Sequence, residues 1–294
     1  MKKLASLLII LSGVVWGTMG IFVKEMEAMG FNTHQTTSVR LTVAAITFII
    51  TILLTDKSRF KIKLADLWMF LVMGIGCVFS MSLLYLYTIA NTSLSVSAIL
   101  LYTSPIWVII ISAIVFKEKL DWKKIVALVF AFVGCVLVSY TGGGSGSIGI
   151  WFFITGLGSG ITYGLYSIFG TIALKKYHSY TVTMYSFVFA AVATWFVAKP
   201  WDTIGVLNSY PDKTHIILIM VLVGVVTAYI PFMLYTLGLK NTVPGKAAIM
   251  ACSEPLTAAI LGFFVYGQSA SIPGIVLIFL AIMLVNNFGI SKKE

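Results

Sequence analysis

The sequence predicts an all-α polytopic membrane protein of ten transmembrane helices, laid out as two inverted five-helix repeats. Three observations predict it: too little charge for a water-facing globule, apolar runs of spanning length along the whole chain, and self-similarity between its halves. Of the 294 residues, 59% are hydrophobic and only 10% charged, with a mean hydropathy of +1.01. A soluble domain of this size carries roughly a quarter charged residues to cover its surface, so most of this surface must face lipid.

A helix needs about 17–25 apolar residues to cross a hydrocarbon core of roughly 30 Å. Ten such runs occur, near residues 4–23, 36–54, 67–88, 95–116, 124–141, 148–173, 180–198, 214–238, 245–266 and 272–290. The first could pass for a signal peptide. It is long for that role, and Gly17-Thr18-Met19-Gly20 leads into Phe22, Val23 and Lys24 without an A-x-A cleavage site. It is retained as a span.

Charge placement supports the count. With the N-terminus in the cytoplasm and sides alternating, the inner loops and ends receive Lys2 and Lys3, the cluster from Lys57 to Lys63, Lys117, Lys119, Lys123 and Lys124, Lys175 and Lys176, Lys240 and Lys246, and Lys292 and Lys293. The outer side receives only Lys24, Arg40, Lys199 and Lys213. This is the positive-inside pattern, and one missed helix would spoil it. Both termini are expected in the cytoplasm, at a bacterial-type inner membrane. The net charge of +10 is thus a topology signal beside anionic lipid and implies no nucleic-acid partner.

The repeat is legible residue by residue. Ser12-Gly13-Val14-Val15-Trp16-Gly17 matches Ser159-Gly160-Ile161-Thr162-Tyr163-Gly164. With a shift of 150, Leu84-Tyr85 falls on Leu234-Tyr235, Asn91-Thr92 on Asn241-Thr242, Ala98-Ile99 on Ala248-Ile249, Gly74 on Gly224 and Pro105 on Pro255. Residues 1–141 and 148–290 form the expected five-span units, joined by the flexible Gly/Ser stretch 141–147. Five is odd, so the second unit enters from the opposite side. Inverted repeats let two halves exchange conformations and turn an inward-open cavity into an outward-open one, which points to a transporter.

Order and spacing of short motifs make the chain resemble the drug/metabolite transporter superfamily, specifically its EamA-like family. The carriers are Trp16-Gly17, Arg40-Leu41, Ser104-Pro105, Lys117-Glu118-Lys119-Leu120, with Lys117 where the family has Gly, and Ser253-Glu254-Pro255-Leu256. The second half departs from the pattern at Tyr266-Gly267-Gln268, where the family often has Gly-Glu. The resemblance implies a central cavity bounded by spans 1, 3, 4, 6, 8 and 9, with spans 5 and 10 peripheral. It implies small organic cargo without specifying it.

Glu254 stands out because other acidic residues fall in loops, at span ends or at the terminus. A carboxyl deep in a span costs about 2.5–3.5 kcal/mol on insertion scales and should face a cavity or a partner. It could bind a cationic group or carry a coupling proton; the alternative is a structural hydrogen bond to a neighbouring helix. Trp16, Tyr85, Tyr102, Tyr163 and Tyr235 are candidate cavity walls able to hold a ring or a cation, against packing or interfacial anchoring. Tyr87, Tyr166 and Tyr229 share that pattern. Arg40 could capture a carboxylate bidentately or anchor span 2 near the interface. Pro105 and Pro255 are candidate hinges, expected to free the carbonyls of Leu101 and Ala251; Pro231 adds a break that the first half lacks. Gly13/Gly17 and Gly156/Gly160/Gly164 form ladders for close helix contact.

Other chemistry has no basis in the sequence. There is no P-loop, no dinucleotide fingerprint, no metal-ligand spacing among His34, His178 and His215, and no framework in Cys77, Cys135 and Cys252. No cofactor or metal is expected, and no enzyme activity. The expected function is secondary active transport of small metabolites by alternating access, as an amino-acid or metabolite exporter or exchanger. Its rivals are a proton-coupled importer of an organic amine and, from another class, an integral-membrane enzyme or sensor. Expected partners are the small-molecule cargo, membrane lipid and candidate coupling protons, with the protein a monomer or homodimer.

Overall fold

The computed structural model describes residues 2–140, 149–267, 269 and 271–287. The Gly/Ser stretch 141–147, Gln268, Lys292 and Lys293 lie outside the described residues. Among the described residues there is no strand. Within the described residues nine helices are long and apolar enough to span: α1 (Lys3–Ala28), α2 (Thr33–Thr55), α3 (Leu64–Asn91), α4 (Leu94–Phe116), α5 (Trp122–Ser139), α6 (Ile150–Ala173), α7 (Ser179–Ala198), α8 (Lys213–Leu239) and α9 (Pro244–Tyr266). A tenth, α10 (Ile272–Asn287), has 16 residues. Between α7 and α8 the expected loop instead holds a short helix, Pro200–Ser209, opened by Pro200 in its first turn. α1 runs beyond the apolar segment to Ala28, carrying Lys24, Glu25 and Glu27 on its extension.

Local chemistry starts the helices. Asn32 opens α2 with a reciprocal capping box: its Oδ1 accepts the Gln35 N–H, and its own N–H donates to Gln35 Oε1, each at 2.9 Å. Asp121 and Asp212 cap α5 and α8, accepting the N–H groups of Lys124 (2.8 Å) and His215 (3.0 Å). Large apolar side chains such as Leu54 and Phe196 stay outside the packed core. That suits a molecule whose flanks meet acyl chains.

The main helix interfaces cross between the halves, and they come in mirrored pairs. α1 packs on α8 as α6 packs on α3, and α1 on α9 as α6 on α4. α2 packs on α7, and α5 on α10. Exchanging each helix for its counterpart five places on maps this set onto itself. The glycine ladders explain the closest approaches. A Cβ on Gly17 would sit 2.8 Å from the Glu254 carbonyl oxygen, and one on Gly160 2.7 Å from that of Leu100. Gly134 and Gly274 bring α5 against α10 in the same way.

α1 is interrupted at Thr18, without a counterpart in α6, and four further spans depart from α geometry in two mirrored pairs. α3 is π-helical over Val72–Phe79 and α8 over Val225–Tyr229. α4 is interrupted between Leu94–Leu101 and Ser104–Phe116, and α9 between Pro244–Met250 and Ser253–Tyr266. Pro105 and Pro255 stand in the first turn of the second segments, where N–H groups have no intrahelical acceptor and proline removes little. The Ala251 carbonyl is not left free: it accepts the Glu254 N–H at 2.9 Å.

Candidate functional site

The interruptions of α4 and α9 line one small central cavity. α1 supplies Trp16, α6 supplies Tyr163, Tyr166 and Ser167, and α8 supplies Phe232 and Tyr235. α4 and α9 contribute their break regions, including Tyr102, Ser104, Pro105, Ala251, Cys252 and Glu254. Both halves therefore wall the same space.

Glu254 stands in the first turn beyond the α9 break. The Tyr163 hydroxyl donates to its Oε2 at 3.1 Å, so the carboxyl is joined to the counterpart helix of α1. Trp16 lies edge-on to Tyr163 and Phe232, with ring centroids 6.4 and 4.9 Å apart, and tilts over Tyr235 at 5.6 Å. Tyr235 and Ser167 share a 2.7 Å hydrogen bond. These contacts fix the wall's geometry, and the residue bearing the carboxyl, Glu254, is part of that wall.

Of the residues singled out from the sequence, Trp16, Tyr102, Tyr163, Tyr166, Tyr235, Glu254 and Pro105 line this cavity. Pro255 is buried one residue beyond the carboxyl. Tyr85 on α3 is not in the wall, although it lies within electrostatic reach of Glu254. Tyr87 is exposed and meets Phe152, whereas Tyr229 bonds Thr51 and packs on Phe48. Arg40 is buried behind the wall, with one guanidinium N–H directed at the Met19 sulfur. Phe232, Ser167 and Cys252 were not anticipated. Their signal is helical spacing: Phe232 shares a face with Tyr235, Ser167 with Tyr163, and Cys252 adjoins the Ser-Glu-Pro segment.

A sequence profile of the EamA-like transporter family matches residues 3–140 and again 149–287. The chain belongs to the EamA-like transporter family. Named relatives of this EamA-like protein agree. It is 27% identical over 264 residues to an "Uncharacterized transporter" of Archaeoglobus fulgidus, covering 90% of this chain and 88% of that one. It is 23% identical over 286 residues to the "Uncharacterized inner membrane transporter YicL" of Salmonella typhimurium, covering 95% and 93%. A solved structure titled "Crystal structure of protein" superposes with a TM-score of 0.76 at 15% identity, over 97% of this chain and 96% of that one, a likeness of fold alone.

Two polar clasps join the halves of this EamA-like transporter on the face that bears the basic loops. Glu118, just past α4, pairs with Lys124 at 2.8 Å and accepts the Ser112 hydroxyl. It also accepts the Gly245 backbone N–H at the start of α9, at 3.4 Å. Asp66 at the start of α3 takes Lys176 at 2.6 Å and the Tyr177 hydroxyl at 2.7 Å, both from the segment between α6 and α7. On the opposite face the Lys24 ammonium lies 3.4 Å from the centre of the Tyr266 ring, tying α1 to α9.

Proposed function

We propose that this EamA-like protein is a secondary active transporter that moves amino acids or similar small metabolites by alternating access, as an exporter or exchanger. One observation carries the reading: a membrane-embedded carboxyl, Glu254, held by Tyr163 in an aromatic cavity that both repeats wall at their interrupted helices. A carboxyl in such a place is costly unless it meets a partner. Aromatic faces beside it suit the ammonium group of a cargo, which is drawn by their quadrupoles. The mirrored interfaces support rocking of one half on the other around a fixed site. Positive-inside charge, together with the YicL relative named as an inner membrane transporter, supports an inner-membrane location with both termini in the cytoplasm.

The rival of a proton-coupled amine importer has its own support, since an amine needs only the carboxyl and the rings. Both readings assign Glu254 to a cation or proton. Proteoliposome flux of labelled amino acids and amines, measured from pH 5 to pH 9 for the wild type and Glu254→Gln, tests them together. The expected result is wild-type flux that varies with pH, and a variant that has lost flux or lost that dependence. Unchanged flux and pH profile in Glu254→Gln would remove the proposal.

A further inference from the structure

Two cation–π contacts in this protein are related by the repeat. The Lys24 ammonium lies 3.4 Å from the centre of the Tyr266 ring, and the Lys175 ammonium 5.4 Å from that of Phe116. A shift of 150 places Phe116 on Tyr266. In the frame that matches Trp16 to Tyr163, Lys24 falls on Thr171, one helical turn before Lys175. The first contact joins the ends of α1 and α9, the second the ends of α6 and α4, which are mirrored interfaces. Lys175 belongs to the face that bears the basic loops and Lys24 to the opposite face.

Such contacts arise roughly once per 70–80 residues, so a few occur by chance in any chain of this length. Chance does not place two of them at matching helix ends. Each ring is the last helical residue before a left-handed cap: Phe116 precedes Lys117 (φ 54°), and Tyr266 precedes Gly267 (φ 63°). Each cation therefore also meets the negative end of a helix dipole. Each also stands apart from the body of its helix, Lys24 beyond the break at Thr18 and Lys175 in the turn after Ala173. Both can shift while Trp16 and Tyr163 keep their places in the cavity wall. The two contacts differ in closeness. Attraction to a ring holds out to about 6 Å, so the Lys24 contact is closed and the Lys175 contact is near its limit. Inverted repeats exchange conformations when the cavity turns over, so each half shows here the geometry that its counterpart takes in the opposite state.

We propose that Lys24–Tyr266 and Lys175–Phe116 are mirrored latches, one at each membrane face, which close in turn and bias the face to which the cavity opens. In the opposite state Lys175 closes on Phe116 and Lys24 withdraws from Tyr266. This rests on the alternating-access reading above. Release of a latch favours opening without forcing it, since the Glu118 and Asp66 clasps also hold the basic face.

The test reads Cys252, which lines the cavity, in the full-length protein with Cys77 and Cys135 replaced by alanine. A membrane-impermeant thiosulfonate reagent is applied to right-side-out and to inside-out membrane vesicles, so that labelling is measured from each face. An exposed cation–π contact shifts an equilibrium by about two- to fivefold. Lys24→Met and Tyr266→Leu should raise labelling from the face bearing Lys24 by that factor and lower it from the basic face. Lys175→Met and Phe116→Leu should do the reverse. Tyr266→Phe keeps the ring and should behave as the wild type, and Lys24→Met combined with Tyr266→Leu should add little to either change alone. Loosened packing raises labelling from both faces, so changes of one sign at both faces overturn the latches. Labelling that none of the variants alters does the same, and in both cases the transporter stands. Wild-type Cys252 that never reacts from one of the two faces overturns alternating access and the latches with it.

Discussion

Gly17→Ala and Gly160→Ala test the packing on which the cavity depends. Each adds a single methyl group at a helix crossing. On Gly17 that carbon meets the Glu254 carbonyl oxygen at 2.8 Å and the Ala258 nitrogen at 3.0 Å; on Gly160 it meets the Leu100 and Leu101 carbonyl oxygens at 2.7 and 3.1 Å. Ordinary contact begins near 3.4 Å, and the Thr257 Cβ would lie closer still to the Gly17 carbon, at 2.5 Å, so each pair of helices must part by roughly 0.7–0.9 Å. Backbone atoms and a Cβ do not move with side-chain rotation, so no rotamer relieves the clash. Overpacking of this kind costs about 1–3 kcal/mol. At roughly 2–4 °C per kcal/mol for a chain of this order of size, melting in detergent should fall by about 2–12 °C. Gly20→Ala is the control: nothing lies within 4 Å of the added carbon, and alanine there gains up to about 1 kcal/mol of helix propensity. Thermal shift of all three variants by intrinsic fluorescence decides. If Gly17→Ala and Gly160→Ala melt with Gly20→Ala, the close-approach argument is wrong. Gly17→Ala should also lower flux more than its loss of stability accounts for, because its clash bears on Glu254, whose carboxyl lines the cavity.

Two further outcomes follow from the ends of α4 and α9. Lys117 ends α4 in the left-handed conformation (φ 54°), and Gly267 ends α9 the same way (φ 63°). A left-handed non-glycine residue costs roughly 1–2 kcal/mol, so Lys117→Gly should raise the melting temperature, and an unchanged or lower value would show that no such strain is present. Glu118→Ala removes the clasp to Lys124 and to the Gly245 N–H, a loss of about 1.5–3 kcal/mol from charged hydrogen bonds. In a background lacking Cys77 and Cys135, maleimide labelling of the cavity-lining Cys252 should then rise by about tenfold or more, and equal labelling would show that the clasp does not hold the basic face shut.

Much of this architecture was legible because lipid imposes simple rules. Apolar runs of fixed length show spans, and a repeat with an odd number of spans shows inversion. The interruptions were legible from Pro105 and Pro255, although their place was not: the breaks fall at Tyr102–Thr103 and Ala251–Cys252, just before the prolines. Proline announces that a helix begins, and its missing N–H then costs little, so the expected free carbonyl at Ala251 does not arise. The π-helical stretches carry no such marker, since Val72–Phe79 and Val225–Tyr229 are ordinary apolar sequence. The cavity wall was legible for Trp16 and Tyr163 through their shared repeat position. Tyr85 and Tyr235 share one too, yet only Tyr235 lines the cavity, because mirrored backbones do not oblige side chains to reach the same space.

That last difference bears on how a symmetric scaffold handles an asymmetric cargo. Exchange of conformations between halves requires matched backbones, and the breaks of α4 and α9, the π-helical stretches, the ladders and the main interfaces are matched. Recognition requires the opposite. The charges beside the cavity have no counterparts: a shift of 150 places Ser104 opposite Glu254 and Ala190 opposite Arg40. One cation stands in the first half and one carboxyl in the second, each without a mirrored counterpart. Conformational symmetry and chemical asymmetry are thus carried by different atoms, the first by glycines and helix breaks, the second by two side chains.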